Sequence, residues 1–139
     1  MTDSTDADVD DLLDAETIAV VGCSTTPGKA AHDVPAYLDR HGYEIVPINP
    51  NHDEVLGRQA YDSLAEVPVE VDLVDVFRPS EEVSDITDAV VERATTRGDV
   101  WGIWLQLGIR DDDAAARARD AGLIVVQDRC LKVAHGEFG

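Results

Sequence analysis

The sequence predicts an α/β protein of the doubly wound type, with helices on both faces of a five-stranded parallel sheet. Two patterns carry this prediction. Short apolar runs alternate with segments whose apolar residues recur at helical spacing, which is typical of strand–helix–strand units. The first run, Ile18 to Val21, is mostly β-branched and lacks polar alternation, as expected of a central strand. We expect the strand order 3-2-1-4-5, with ligands bound at the carboxyl ends of the strands near the switch point.

The amino terminus is acidic and lacks aromatic side chains. We expect residues 1–13 to form a mobile tail, and we expect a helical turn over Asp11 to Ala15 to lead into the first strand. Residues 14–139 contain no repeat, low-complexity tract or linker. They are therefore expected to form a single domain.

A glycine turn and a helix follow the first strand. The turn begins at Gly22, and Gly42 caps the far end of the helix. Pro35 constrains where the helix begins, because a proline is comfortable only in the first turn. Regular helix therefore begins near Asp33, or it begins at Ala30 and carries a kink. The sequence leaves both starts open.

The remaining elements continue the alternation of strand and helix. The strand at Val71 to Phe77 contains two aspartates, which favours a position nearer an edge of the sheet than the first strand. Helices packed on both faces would give a Rossmann-like three-layer sandwich. The other expected strands are Tyr43 to Ile48, Val100 to Leu105 and Leu123 to Val126, and the expected helices are Tyr61 to Val67, Ser80 to about Arg97, and Arg110 to Ala121.

The charge is strongly negative, with 29 Asp and Glu against 11 Lys and Arg and a formal net charge of −18. Such a field repels nucleic acid and anionic membranes, so we expect neither as a partner. No apolar run is long enough to span a bilayer, which predicts a soluble, cytoplasmic protein. The composition resembles the acidic surfaces of proteins that work in concentrated salt. Low ionic strength should destabilise such a fold.

The turn after the first strand is the candidate phosphate site. Gly22 lets an anion approach the main chain, Ser24 and Thr25 offer hydroxyls, and Lys29 offers a charge. We expect unpaired backbone N–H groups and the helix dipole to point at the same spot. The alternative is an ordinary strand-to-helix turn with a capping serine.

Two common nucleotide motifs do not fit. A dinucleotide fingerprint reads GxGxxG, but Ser24 replaces its second glycine, and Asn49 and Pro50 stand where a ribose-binding carboxylate is expected. In a P-loop the two glycines lie closer together than Gly22 and Gly28 do.

Four motifs resemble a known family. They are Gly-Cys-Ser-Thr-Thr-Pro-Gly-Lys, Val-Pro-Ile-Asn-Pro, Trp-Leu-Gln-Leu-Gly-Ile and Gln-Asp-Arg-Cys, and they span roughly residues 14–135. Together they resemble the stand-alone CoA-binding domain proteins, which are related to the CoA-binding domain of the succinyl-CoA synthetase alpha subunit. The resemblance implies a cofactor site for coenzyme A or acyl-CoA. By this resemblance the phosphates are held by Gly22, Ser24 and Lys29, and the adenosine side is lined by Asn49 and Pro50. Phe77 and Arg78 would flank the nucleotide, and Gln106 and Gly108 would face the pantetheine arm. Cys23 and Thr25, in the same turn, are further candidate cofactor-binding residues.

The resemblance does not imply catalysis, because the synthetase's phosphohistidine belongs to a second domain. We expect a non-catalytic CoA-binding protein, with a homodimer or a partner enzyme subunit as its protein partner. A small NAD(P)-binding enzyme or redox sensor on the same fold is the alternative. A third possibility is a structural partner subunit in which the loops at the carboxyl ends of the strands bind nothing.

The cysteines and histidines give few further candidates. Cys130 follows a strand end beside Arg129, whose charge would favour the thiolate, so Cys130 is a candidate redox thiol; a buried, unreactive cysteine is the alternative. For Cys23 we prefer the interpretation of a buried cysteine that packs as a small apolar side chain. The four histidines share no metal-ligand spacing, so we expect no metal site.

Overall fold

The computed structural model describes residues 5–138. Within them a five-stranded parallel sheet is flanked by helices, and a short antiparallel hairpin lies apart from the sheet. The helices are α1 (Asp6–Leu13), α2 (Ala30–Arg40), α3 (Val83–Arg97), α4 (Asp112–Asp120) and α5 (Leu131–Phe138); the strands are β1 (Thr17–Val21), β2 (Glu44–Ile48), β3 (Glu54–Val55), β4 (Arg58–Gln59), β5 (Leu73–Val76), β6 (Gly102–Leu105) and β7 (Ile124–Val126).

The sheet runs in the order β2-β1-β5-β6-β7, which confirms the Rossmann-like class. β5, counted from the sequence as the third strand, lies beside β1 and not at the outer edge. The place beyond β2 is held by Tyr61, which forms a parallel bridge with Ile48. If Tyr61 is counted as the third strand, then β5, β6 and β7 become the fourth, fifth and sixth strands. The order across the sheet is then 3-2-1-4-5-6, which contains the expected order 3-2-1-4-5. The switch point therefore lies between β1 and β5.

Side chains alternate between two cores across the sheet. Ile18 and Val20 of β1 face the layer of α1, α2 and α5, whereas Ala19 between them faces α3 and α4. This alternation accounts for the uninterrupted apolar runs, since both faces of each central strand are covered.

The prediction that β5 lies nearer an edge than β1 is wrong, because β5 is the central strand. All four of its residues are buried, and Asp75 is 0% exposed at the centre of the sheet. Neither carboxylate oxygen of Asp75 has a hydrogen-bond partner among the described residues. Burial raises the pKa of Asp75 well above its ordinary value.

The prediction of a mobile tail is also wrong from Asp6 onward, and residues 1–4 lie outside the described part of the chain. α1 begins with a capping box in which the Thr5 hydroxyl accepts from the Asp8 amide. Val9 and Leu12 are completely buried. The acidic residues lie on the outer face of a helix that belongs to the core.

α2 begins at Ala30 and contains Pro35, which decides between the two starts left open by the sequence. Pro35 has no N–H to bond the carbonyl of Ala31. That carbonyl accepts instead from the Ser24 amide at 2.9 Å, so the proline helps fix the loop before the helix.

Three other segments differ from expectation. The helix expected at Tyr61 to Val67 is only a 3₁₀ turn, Leu64–Glu66. α5 and the β3–β4 hairpin were not predicted. Over residues 5–138, no helix is both long and apolar enough to cross a membrane.

Candidate functional site

A cavity of about 790 Å³ opens at the carboxyl ends of β1, β2 and β5. It lies at the switch point, where sheets of this type bind their ligands. Loops after these three strands and the first half of α3 form its walls. Nine predicted site residues line it: Gly22, Cys23, Ser24, Thr25, Lys29, Asn49, Pro50, Phe77 and Arg78.

The loop from β1 to α2 is ordered by its own hydrogen bonds. The Thr26 amide donates to the Ser24 hydroxyl at 3.0 Å, and the Gly28 amide donates to the Asp33 carboxylate at 3.1 Å. The amides of Gly22 and Ser24 also donate to backbone carbonyls. The expectation of unpaired N–H groups is wrong for these four amides, and an anion would meet a loop whose shape is already set.

The amino terminus of α2 is open to the cavity. Its N-cap residue is Lys29, which makes no side-chain capping hydrogen bond. Ser24 does not cap the helix, so the capping serine of the alternative is absent, whereas phosphate binding at this turn stays a prediction. Lys29 is exposed at the cavity wall, and Ala31 of the first helical turn also lines the cavity. A positive side chain and the positive end of a helix dipole thus face the same space.

Asn49 fastens the loop after β2 to the loop after β1. Its side-chain amide donates to the Cys23 carbonyl at 3.0 Å, and its side-chain oxygen accepts from the Asn51 amide at 2.8 Å. The Asn49 backbone amide donates to the Tyr61 carbonyl at 2.9 Å. This residue therefore shapes the cavity wall, beside the exposed Pro50.

Gly22 allows the loop after β5 to approach β1 closely. Its φ is +86°, and a Cβ at this position would lie 2.9 Å from Cδ of Arg78 and 3.3 Å from the Phe77 carbonyl oxygen. The aliphatic stem of Arg78 therefore lies directly against Gly22. Its guanidinium is held by Glu82, with Nε to Oε1 at 3.1 Å and Nη2 to Oε2 at 2.8 Å.

Cys23 reaches the cavity wall with a fully buried side chain. Burial, together with the negative charge of Asp75, raises the pKa of the Cys23 thiol to about 12. The thiolate is the reactive form of cysteine, so this side chain acts as a small apolar group at neutral pH.

The other three predicted site residues lie outside the cavity. Gln106 is 3% exposed, and its side-chain oxygen accepts from the Leu131 amide at 3.0 Å, which orders the start of α5. The Gly108 amide donates to the Asp128 carboxylate at 2.7 Å. Cys130 is half-buried just before α5, and its reactivity stays a prediction.

A family model described as a CoA-binding domain matches residues 16–136. The chain belongs to this family. The Bacillus subtilis (strain 168) protein YneT is 35% identical over 136 residues, which are 97% of each chain. A solved structure from Thermus thermophilus is 36% identical, covers 97% of this chain and 99% of its own, and superposes with a TM-score of 0.87.

A third relative is much longer than this CoA-binding domain. The alpha subunit of the ADP-forming acetate–CoA ligase II of Pyrococcus furiosus is 40% identical over 63 residues, which are 45% of this chain. Those residues make up 14% of the ligase subunit. The likeness concerns a small part of that ligase.

The cavity of this CoA-binding domain is lined by both cationic and anionic side chains. Its cationic side chains are Lys29 and Arg78, and its carboxylates are Asp62, Glu82 and Asp85. Arg78 is paired with Glu82. Lys29, in contrast, makes no ion pair with any of the described residues.

Sequence reasoning missed the α3 side of the cavity. The residues concerned lie at the spacing i, i+3, i+4 and i+7, which places them on one helical face. That spacing, directly after Arg78 and Pro79, was the available signal. No comparable signal marked Asp62, whose position follows from the Tyr61 bridge. These residues are Glu82, immediately before α3, and Asp85, Ile86 and Ala89 within it.

Proposed function

We propose that this domain binds coenzyme A or an acyl-CoA without catalysis of its own, with the ligand's phosphates at the turn between β1 and α2. One observation carries the proposal: a cavity at the switch point of a CoA-binding family member exposes Lys29 beside an uncapped helix start. Helix amino termini favour anions, and a lysine adds a point charge. The hydroxyls of Ser24 and Thr25 lie on the same wall.

The nucleotide is proposed to lie between the loops after β2 and β5. Asn49 and Pro50 would line the adenosine, and the half-buried Phe77 offers it an apolar surface. The pantetheine arm would then run along Ile86 and Ala89 of α3, because these side chains give the cavity its apolar stretch on that side. The burial of Gln106 does not favour a direct contact with the arm.

The non-catalytic part of the proposal rests on the reactive groups. Cys23 is buried with a pKa of about 12, which disfavours it as a nucleophile. The ligase activity belongs to a relative in which the similar segment is 14% of the length. That likeness to an alpha subunit supports a partner enzyme subunit more than a homodimer.

Isothermal titration with CoA, acetyl-CoA, NAD and ATP in high-salt buffer tests the proposal. We expect CoA and acetyl-CoA to bind and NAD and ATP to bind more weakly. Asn49 at the end of β2 supplies no carboxylate for a ribose diol, which disfavours NAD. Binding of NAD without CoA would support the alternative of a nicotinamide enzyme or sensor. An unchanged melting temperature with every nucleotide would indicate a structural subunit that binds none of them.

A further inference from the structure

Arg78 is placed for anion binding but is occupied by a carboxylate of its own chain. The aliphatic stem of Arg78 lies against Gly22, and Arg78 lines the same cavity as Lys29. Glu82, four residues along the chain, accepts from Nε and Nη2 at 3.1 and 2.8 Å. This two-pronged arrangement is the one in which arginine also binds phosphate.

The pair is exposed enough for a ligand to exchange with it. The Arg78 and Glu82 side chains are 46% and 47% exposed, and both line the cavity. Ion pairs at this exposure are held weakly. A phosphate that entered the cavity would compete with Glu82 for the same nitrogen atoms.

We propose that Glu82 is an affinity- and selectivity-determining residue that competes with the ligand's phosphate for Arg78. The inference rests on the proposed function, since it concerns an anion in the same cavity. When a phosphate takes the guanidinium, Glu82 is left as a free carboxylate beside an anion and beside Asp85. Binding is therefore weaker than Lys29 and Arg78 alone would give.

The competition also sorts ligands by charge. A phosphomonoester carries up to two negative charges and three acceptor oxygens, so it displaces a single carboxylate more readily than a phosphodiester does. Coenzyme A has such a group on its ribose, whereas dephospho-CoA and NAD have only the diphosphate bridge. Glu82 thus favours ligands with a terminal phosphate.

The test is titration of CoA, dephospho-CoA and inorganic pyrophosphate into four proteins: the parent, Glu82→Gln, Arg78→Ala and the double variant. Glu82→Gln should tighten CoA about two- to fivefold, the range expected when an exposed ion pair no longer has to be broken. Arg78→Ala should weaken CoA more in the Glu82→Gln background than in the parent. An altered fold alone would not produce this coupling between the two positions.

Glu81→Gln is the matched control. It removes the same charge one residue away, and Glu81 neither lines the cavity nor forms an ion pair with any residue from 5 to 138. Its CoA affinity should equal that of the parent. An equal gain from Glu81→Gln and Glu82→Gln would overturn the inference, because general charge relief would then explain both.

The outcomes separate the inference from the proposed function. If CoA binds the parent and Glu82→Gln equally, the inference fails and the proposed function stands. If CoA fails to bind while pyrophosphate binds more tightly to Glu82→Gln, the proposed function fails and the competition at Arg78 stands. If neither ligand binds any of the four proteins, both fail.

Discussion

Lys29 is one of two lysines in a chain with a formal net charge of −18. At moderate salt Lys29→Ala should weaken CoA binding roughly tenfold or more, because a charge-assisted hydrogen bond contributes about 1.5–3 kcal/mol. Lys132→Ala is the control, since Lys132 lies on α5 with its Nζ 5.4 Å from the Tyr37 ring centroid, outside the cavity. Titration calorimetry of both variants decides. Equal CoA affinity in Lys29→Ala and the parent would mean that Lys29 does not contact the ligand.

Asp75 makes folding stability depend on pH. Its pKa lies well above the ordinary 3.8 because of burial, so the folded state holds a proton that the unfolded chain releases. This contribution is fully present below pH 3.8 and is lost as pH rises through the raised pKa. Asp75→Asn should therefore gain unfolding free energy over the parent, and the gain should grow as pH rises from 4 to 8.

Urea denaturation at a series of pH values measures this difference. Asp120→Asn serves as control because Asp120 is exposed on α4. It should stay within about 0.5 kcal/mol of the parent at every pH. A constant offset between Asp75→Asn and the parent would show that Asp75 does not titrate differently in the two states.

At the scale of elements, α1 belongs to the core of the domain. Leu12 is 0% exposed, and a Cβ on Gly102 of β6 would collide with its Cδ2. Leu12→Ala should therefore lower the unfolding free energy by about 2–5 kcal/mol through lost burial and a cavity. The measurement is the urea midpoint at fixed salt. Leu107→Ala, at a side chain 70% exposed, should change stability by less than about 0.5 kcal/mol. An equally small effect from Leu12→Ala would mean that α1 does not stabilise the core.

The same elements show what the sequence could predict. Apolar runs identified all five strands of the sheet, because side chains covered on both faces leave a continuous signal. The acidic residues around Val9 and Leu12 hid a two-residue buried face, and Asp75 made a central strand resemble an edge. The Tyr61 bridge depends on one residue pair and has no sequence period.

The candidate site was likewise predictable from the sequence only in part. The glycine turn at Gly22 and the lysine at Lys29 were predictable, because their chemistry follows from a strand–turn–helix unit. The structural roles of Asn49 and Gln106 were not, since each depends on a partner distant in the chain. For Glu82 the sequence showed only a charged helix start, whereas its pairing with Arg78 depends on where Gly22 places the arginine stem.

At the scale of the whole molecule, the net charge of −18 makes the fold sensitive to salt. Raising NaCl from 0.1 to 1 M shortens the screening length from about 10 to about 3 Å and so reduces repulsion among the surface carboxylates. We expect the folded state to gain on the order of 1–3 kcal/mol, seen as a rise in Tm of several degrees. Uncharged sucrose at matched osmolality controls for general solute effects.

A variant with fewer carboxylates separates repulsion among charges from other effects of salt. Four of the exposed carboxylates, Glu54, Glu66, Glu70 and Asp120, form no ion pair among residues 5–138. Replacing all four by their amides changes the net charge from −18 to −14, four units less negative. This variant should melt at a higher temperature than the parent in 0.1 M NaCl and gain less on going to 1 M. Parallel salt curves for the two proteins would mean that salt acts through the apolar surface and not through the carboxylates.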